Sequence, residues 1–138
     1  MEFINILWGV NMKKKLVITI SIFVGILALF ISTGFVKCTD VFLSDYTLSE
    51  DGSTMTLYVQ RAGSLGYIRA CNINRGGDNF YISFYQTFGG LNSTIGAQNT
   101  FEIPLNSLNG EIYFYHGDGG YTLVLQKDEA TGEWHLPY

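Results

Sequence analysis

From Leu16 to Val36 the chain carries twenty-one residues without a charge, fourteen of them Leu, Ile, Val or Phe, directly behind Lys13-Lys14-Lys15. As a helix at ~1.5 Å per residue, such a run covers roughly 31 Å, about the thickness of a bilayer hydrocarbon core. The pattern predicts a transmembrane helix over 16–36. Past Lys37 the hydrophobic positions change period. They alternate with polar ones over short runs punctuated by Gly, Asn, Asp and Ser, and no window of 39–138 sustains a helical period.

The alternation predicts a first strand over Asp40–Leu48, turned by Ser49-Glu50-Asp51-Gly52, and a second over Thr54–Arg61. In the second, Met55, Leu57 and Val59 share one face and Thr54, Thr56, Tyr58 and Gln60 the other. A third strand is expected over Tyr67–Ile73, with Asn74–Asn79 as a glycine-containing connection. The fourth, Phe80–Phe88, sets Phe80, Ile82 and Phe84 against Tyr81, Ser83 and Tyr85. Gly89–Gln98 reads as the longest loop. Thr100–Leu105 inserts Phe101, Ile103 and Leu105, and Pro104 marks an edge or a strand end. Asn109-Gly110 reads as a hairpin turn into Glu111–His116. Gly117-Asp118-Gly119-Gly120 turns into Tyr121–Lys127, with Leu123 and Leu125 together on one face, and a short strand covers Glu133–Leu136.

Seven or eight short strands predict an all-β fold, an antiparallel β-sandwich of immunoglobulin-like type behind an N-terminal transmembrane helix. A small barrel is the alternative, since the immunoglobulin Cys…Trp…Cys spacing is absent. The expected organisation is a cytoplasmic stub over 1–15, a transmembrane helix or signal segment over 16–36, and an extracellular β domain over 37–138. Met12-Lys13-Lys14-Lys15 resembles the start of an export signal, so Met12 is a second candidate for the true start.

Charge sets the orientation. The lysine triplet lies before the apolar run and only Lys37 follows it closely, so the positive-inside rule places the N-terminus in the cytoplasm and residues 38–138 outside. Two fates remain open for the leader. It stays as a single-pass anchor in the cell membrane, or it is cleaved after Gly34 in Ser32-Thr33-Gly34, leaving a secreted domain. Lipid attachment at Cys38 is disfavoured by the bulky, charged Phe35-Val36-Lys37 before it.

From Cys38 onward four basic residues (Arg61, Arg69, Arg75, Lys127) stand against eleven acidic ones, a net of 4 − 11 = −7. That balance argues against nucleic acid or anionic lipid as a partner, because both need a basic surface. Cys38 and Cys71 are the two cysteines. In an oxidising space they could form a disulfide; the alternative is two free thiols.

No catalytic constellation emerges. Ser64 lacks the Gly-x-Ser-x-Gly elbow spacing. His116 and His135 fall near strand ends, where surface histidines beside turns are the simplest account. Asp40, Asp45, Glu50 and Asp51 cluster without a calcium-loop pattern, and Asp51-Gly52 and Asp118-Gly119 are explained by turn chemistry. No metal or cofactor is implied. Asn92-Ser93-Thr94 matches a glycosylation sequon and is assigned no role. The aromatic content carries the functional signal: Tyr81, Tyr85, Tyr113 and Tyr115 fall opposite the Phe/Ile set, with Tyr121 and Trp134 on further strands. Exposed, such a strip suits a cell-wall glycan or another surface protein. Cross-strand pairing that stabilises a sheet face explains the same residues without a ligand.

Asp40-Val41-Phe42-Leu43-Ser44-Asp45-Tyr46-Thr47-Leu48, Gly89-Gly90-Leu91-Asn92-Ser93 and Gly119-Gly120-Tyr121 give most of the exported part a further likeness. The chain resembles a group of small single-anchor exported proteins of Gram-positive gut bacteria with no known activity. The resemblance implies an address, not a chemistry. The expected function is therefore a membrane-anchored extracellular binding or interaction module, not an enzyme. The alternative is a secreted structural or accessory subunit of a cell-surface assembly.

Overall fold

A computed structural model of the chain describes residues 2–31, 36–63, 66–86, 94, 96–108 and 110–137, with helix side chains described for 11–28. It divides into two compact units, Met1–Ser32 and Thr33–Tyr138.

The first unit is one helix, α1, Glu2–Ile31. It contains no proline, and it continues unbroken through Met12 and the lysine triplet. The Thr19 hydroxyl donates back to the Lys15 carbonyl at 3.0 Å, which satisfies a polar group that would otherwise interrupt the apolar surface. Among the described residues, no helix is long and apolar enough to cross a membrane. The uncharged run whose side chains are described there covers 16–28, thirteen residues behind the three lysines. Val36, expected at the end of the apolar run, lies in a strand instead.

The second unit holds nine strands among the described residues: β1 Val36–Lys37, β2 Val41–Leu48, β3 Thr54–Arg61, β4 Ile68–Gly76, β5 Asn79–Gln86, β6 Thr100–Pro104, β7 Glu111–Gly117, β8 Gly120–Lys127 and β9 Trp134–His135. They form two sheets. The smaller runs β2-β3-β6, and the larger runs β1-β5-β7-β8-β9 with β4 also paired to β5. β3 has the bounds its alternation predicts, because Met55, Leu57 and Val59 are all within 1 % of full burial. β6 is an edge strand ending at Pro104, so the missing N–H of proline costs no ladder bond.

The expectation of a wholly antiparallel sandwich is corrected at one pair. β5 and β7 run parallel, with Asn79 opposite Glu111 and Ile82 opposite Phe114. The chain leaves β5, lays β6 into the smaller sheet, and returns as β7 in the same direction; parallel neighbours require such a crossover. For the same reason Gly110 is not part of a β6–β7 hairpin: the two strands lie in different sheets. Asn109 lies outside the described residues, as do Phe88, Ser64 and most of the 89–98 loop.

β4 is longer than its sequence suggests. Asn74 and Arg75 continue the ladder opposite Tyr81 and Phe80, which leaves only Gly77-Asp78 as the turn into β5. The Arg75 guanidinium lies 5.2 Å from the Phe80 ring centroid, a cation–π contact that compensates for two poor strand formers. Asp118-Gly119 forms the turn between β7 and β8, with both residues at positive φ (48° and 73°), as a type I′ hairpin needs. A bulge then skips Val124. Leu125 faces Ile112 in the core, whereas Leu123 faces Tyr113 on the other side, so the two leucines do not share a face.

One core joins the sheets, consistent with a β-sandwich. Phe84 meets Phe114 of its own sheet edge-on at 4.8 Å between ring centroids and Phe101 of the smaller sheet at 5.4 Å. Trp134 is buried in this core, not displayed beside the tyrosines. Its carbonyl accepts a hydrogen bond from the Tyr46 hydroxyl of the opposite sheet.

Of the two states expected for Cys38 and Cys71, the structure has the free thiols. Cys71 sits directly opposite Phe84 on one edge of β5, while the Cys38 N–H donates to the Phe84 carbonyl at 2.9 Å on the other edge. Two interstrand spacings of ~4.8 Å separate them by roughly 10 Å, beyond disulfide reach. Cys38 is buried and behaves as a small apolar residue, its thiol pushed up to about 11 mainly by desolvation.

Two outcomes follow. Phe84→Ala is expected to lower unfolding stability by about 3–5 kcal/mol, read as a drop in the denaturant midpoint at unchanged slope. Thiol counting on the denatured chain, purified without reductant, is expected to find two reactive groups.

Candidate functional site

Strand alternation gives the larger sheet an outer face that runs across Asn74 on β4, Tyr81 and Tyr85 on β5, Tyr113 and Tyr115 on β7, and Tyr121 and Leu123 on β8. All five tyrosines are half-buried rather than fully exposed. Four of them, Tyr81, Tyr113, Tyr115 and Tyr121, form a chain of ring contacts. Tyr81 and Tyr113 stand on registered positions and stack at 5.0 Å with an 11° interplanar angle. Tyr121 leans across from β8, edge-on to Tyr81 at 5.2 Å and to Tyr115 at 5.6 Å. Its hydroxyl lies 3.4 Å from that of Ser83, a small polar residue that the cluster buries on the outer side of β5. Tyr85 stands further along the same strand, opposite Lys37 of β1.

Polar groups frame the rings. The Lys37 ammonium lies 4.8 Å from the Tyr115 ring centroid, held there by the pairing of β1 to β5. At the other end, one oxygen of Glu111 accepts from the Asn79 amide and from the Tyr113 hydroxyl, each at 2.8 Å. That hydrogen bond, with the nearby negative charge, raises the Tyr113 phenol above its usual range and keeps it a donor. Among the described residues, the hydroxyls of Tyr81, Tyr85 and Tyr115 have no hydrogen-bond partner. The sequence pattern singled out all five tyrosines, four of them as a candidate site, but not Glu111, Asn79 and Lys37. Glu111 alternates with Tyr113 and Tyr115 on β7, whereas Asn79 and Lys37 join the face through the pairing of β5 with β7 and of β1 with β5.

The close packing reaches β4. A Cβ on Gly76 would lie 2.8 Å from Cε2 of Tyr81, so the ring of Tyr81 occupies the space a side chain would need there. Cross-strand aromatic packing over a glycine stabilises a sheet in its own right.

A second polar cluster sits at another end of the domain. Arg61 binds Asp40 through two hydrogen bonds, Nε–H to Oδ1 at 2.9 Å and Nη2–H to Oδ2 at 2.8 Å, and also donates to Gln86. The Gly63 N–H donates to the same Asp40 carboxylate at 2.8 Å. These bonds hold the Asp40 carboxyl below the usual carboxylate range. An open cavity of about 480 Å³ adjoins them, walled by Val59, Arg61, Tyr67, Ile68, Gln98 and Asn99.

The remaining candidates are dispersed. Asp51 is used by its own turn: it accepts from the Ser49 and Ser53 hydroxyls at 2.6 and 2.8 Å, and its carboxyl falls to about 2. Among the described residues, no three His, Cys, Asp or Glu side chains gather as metal ligands do. Cys71 faces the core beside Phe84, His116 is exposed on β7 and His135 lies on β9. Compared with known proteins, the chain matches no family model, no curated protein and no solved structure.

Asp40 supplies a pH test. Its folded pKa is depressed, so the unfolded chain binds the proton more readily and the ion pair's contribution is lost as pH falls through the folded value. Asp40→Asn is expected to cost about 1.5–3 kcal/mol at pH 7. The gap to the unmodified chain should hold down to the ordinary carboxyl value of 3.8 and shrink below it.

Proposed function

We propose that this chain is an extracellular binding module, tethered to the membrane by the apolar run that begins at Leu16, whose ligand face is the outer side of the larger sheet. One observation carries this reading: the two outer faces differ. β3 turns Thr54, Thr56, Tyr58 and Gln60 outward on the smaller sheet. The larger sheet instead gathers five half-buried tyrosines, three of whose hydroxyls have no partner among the described residues. Tyrosine offers large, rigid, amphipathic contact area with little side-chain entropy to lose. No catalytic role is proposed for any residue.

The address is supported by the uncharged run behind Lys13-Lys14-Lys15 and by the acidic balance beyond it. An immunoglobulin-like module fits both this address and that of the single-anchor exported proteins the chain resembles.

Fractionation with a carboxy-terminal reporter checks the setting. The expected outcome is full-length chain in the membrane fraction, with the reporter accessible outside the cell. A soluble product shortened by about 34 residues would favour the secreted accessory subunit. A cytosolic reporter would remove both.

A further inference from the structure

Building on the tyrosine-face reading, we propose that the ligand is an uncharged glycan segment, oriented by hydrogen bonds to the Glu111 carboxylate. The proposal rests on how Glu111 is held. Its Oε2 accepts from Asn79 Nδ2 and from the Tyr113 hydroxyl, each at 2.8 Å, so two strands and one ring fix its direction. Its other oxygen has no partner among the described residues. A carboxylate only accepts hydrogen bonds, so what completes this group is a donor. Adjacent hydroxyls of a sugar ring supply such donors and carry no net charge.

The rest of the face agrees. Along β5 it runs from Asn79 past Tyr81 and Ser83 to Tyr85, with Glu111, Tyr113 and Tyr115 on β7 beside it, roughly 20 Å at 3.3 Å per residue. That length accommodates several sugar rings. The free hydroxyls of Tyr81, Tyr85 and Tyr115 both donate and accept, as a polyol needs, while ring edges offer apolar contact to sugar C–H groups. Lys37 does not mark the site as anionic, because its ammonium is already placed over Tyr115. An acidic polymer would meet the open Glu111 oxygen and a domain whose net charge beyond residue 37 is 4 − 11 = −7. A peptide strand docks by extending a sheet edge, whereas β5 and β7 lie inside the sheet with neighbours on both sides.

The test uses the full chain in detergent micelles and three soluble hexasaccharide probes: a β-1,4-linked glucose oligomer, a β-1,4-linked N-acetylglucosamine oligomer and an oligogalacturonate. Binding is measured by titration calorimetry, with near-ultraviolet circular dichroism as the check on folding. Binding to at least one uncharged probe and none to the galacturonate is expected. Glu111→Ala should weaken that binding by about tenfold or more, and Tyr113→Phe by a smaller factor, because it removes one of the two bonds that aim the carboxylate. Glu102→Ala, on an exposed position of the other sheet, should leave it unchanged. Tighter binding to the galacturonate, or full affinity in a folded Glu111→Ala variant, overturns the proposal.

If no saccharide binds, the glycan proposal fails. The broader reading is then judged on its own: a folded Tyr81→Ser, Tyr115→Ser chain that still associates with whole cells as the unmodified chain does would remove the tyrosine face as a binding surface. Loss of association would keep that face and assign it to a protein partner.

Discussion

Phe84 is where both sheets and the first strand of the domain meet. Its ring is shared between Phe114 in its own sheet and Phe101 in the other. Its carbonyl takes the Cys38 N–H on one edge of β5, and Cys71 stands opposite it on the other. The residues on either side, Ser83 and Tyr85, face the opposite way. The core and the tyrosine face are thus two sides of one strand. A slip of one residue in β5 would move Phe80, Ile82 and Phe84 out of the core and the tyrosines into it, so the register that fills the core also builds the outer surface.

The same strand explains why a two-residue β1 holds. Alone, Val36 and Lys37 could not form a stable strand. They are fixed by pairing to Gln86 and Tyr85, by burial of Cys38, and by the seat of the Lys37 ammonium over Tyr115. Gln86 then reaches Arg61 on β3, whose guanidinium grips Asp40 just before β2. Hydrophobic contact closes the middle of the two layers, and this charge-assisted chain of bonds closes one end. Partial burial lets the ion pair count for more than a surface pair, without the desolvation cost of a fully buried one.

The period-two alternation made β3, the inward faces of β5, β6 and β7, and the Asp118-Gly119 turn legible in the sequence. Those features are local: each depends on neighbours one to four residues away. What was hidden depends on pairing between distant segments. The parallel β5–β7 ladder follows from β6 changing sheets, which no turn residue announces. The bulge at Val124 separates Leu123 from Leu125 by inserting one residue against β7, invisible to a strict alternation. The sequence left the pairing of the two cysteines open, and the structure sets Phe84 between them. The tyrosines were legible by spacing, and Glu111 shares their alternation on β7, whereas Asn79 and Lys37 became part of the same face only through strand pairing.

Self-packing and ligand binding are not rival accounts of the tyrosine face. A stacked Tyr81–Tyr113 pair and an edge-on Tyr121 contribute to stability as cross-strand aromatic contacts do, a few tenths to about 1.5 kcal/mol each. The same contacts fix side-chain angles before any ligand arrives, which removes most of the ordering cost that binding would otherwise carry. Among the described residues, the hydroxyls of Tyr81, Tyr85 and Tyr115 and the second oxygen of Glu111 are the polar atoms of this surface without a protein partner. Their chemistry is complementary to a molecule that is flat, uncharged and rich in hydroxyl groups.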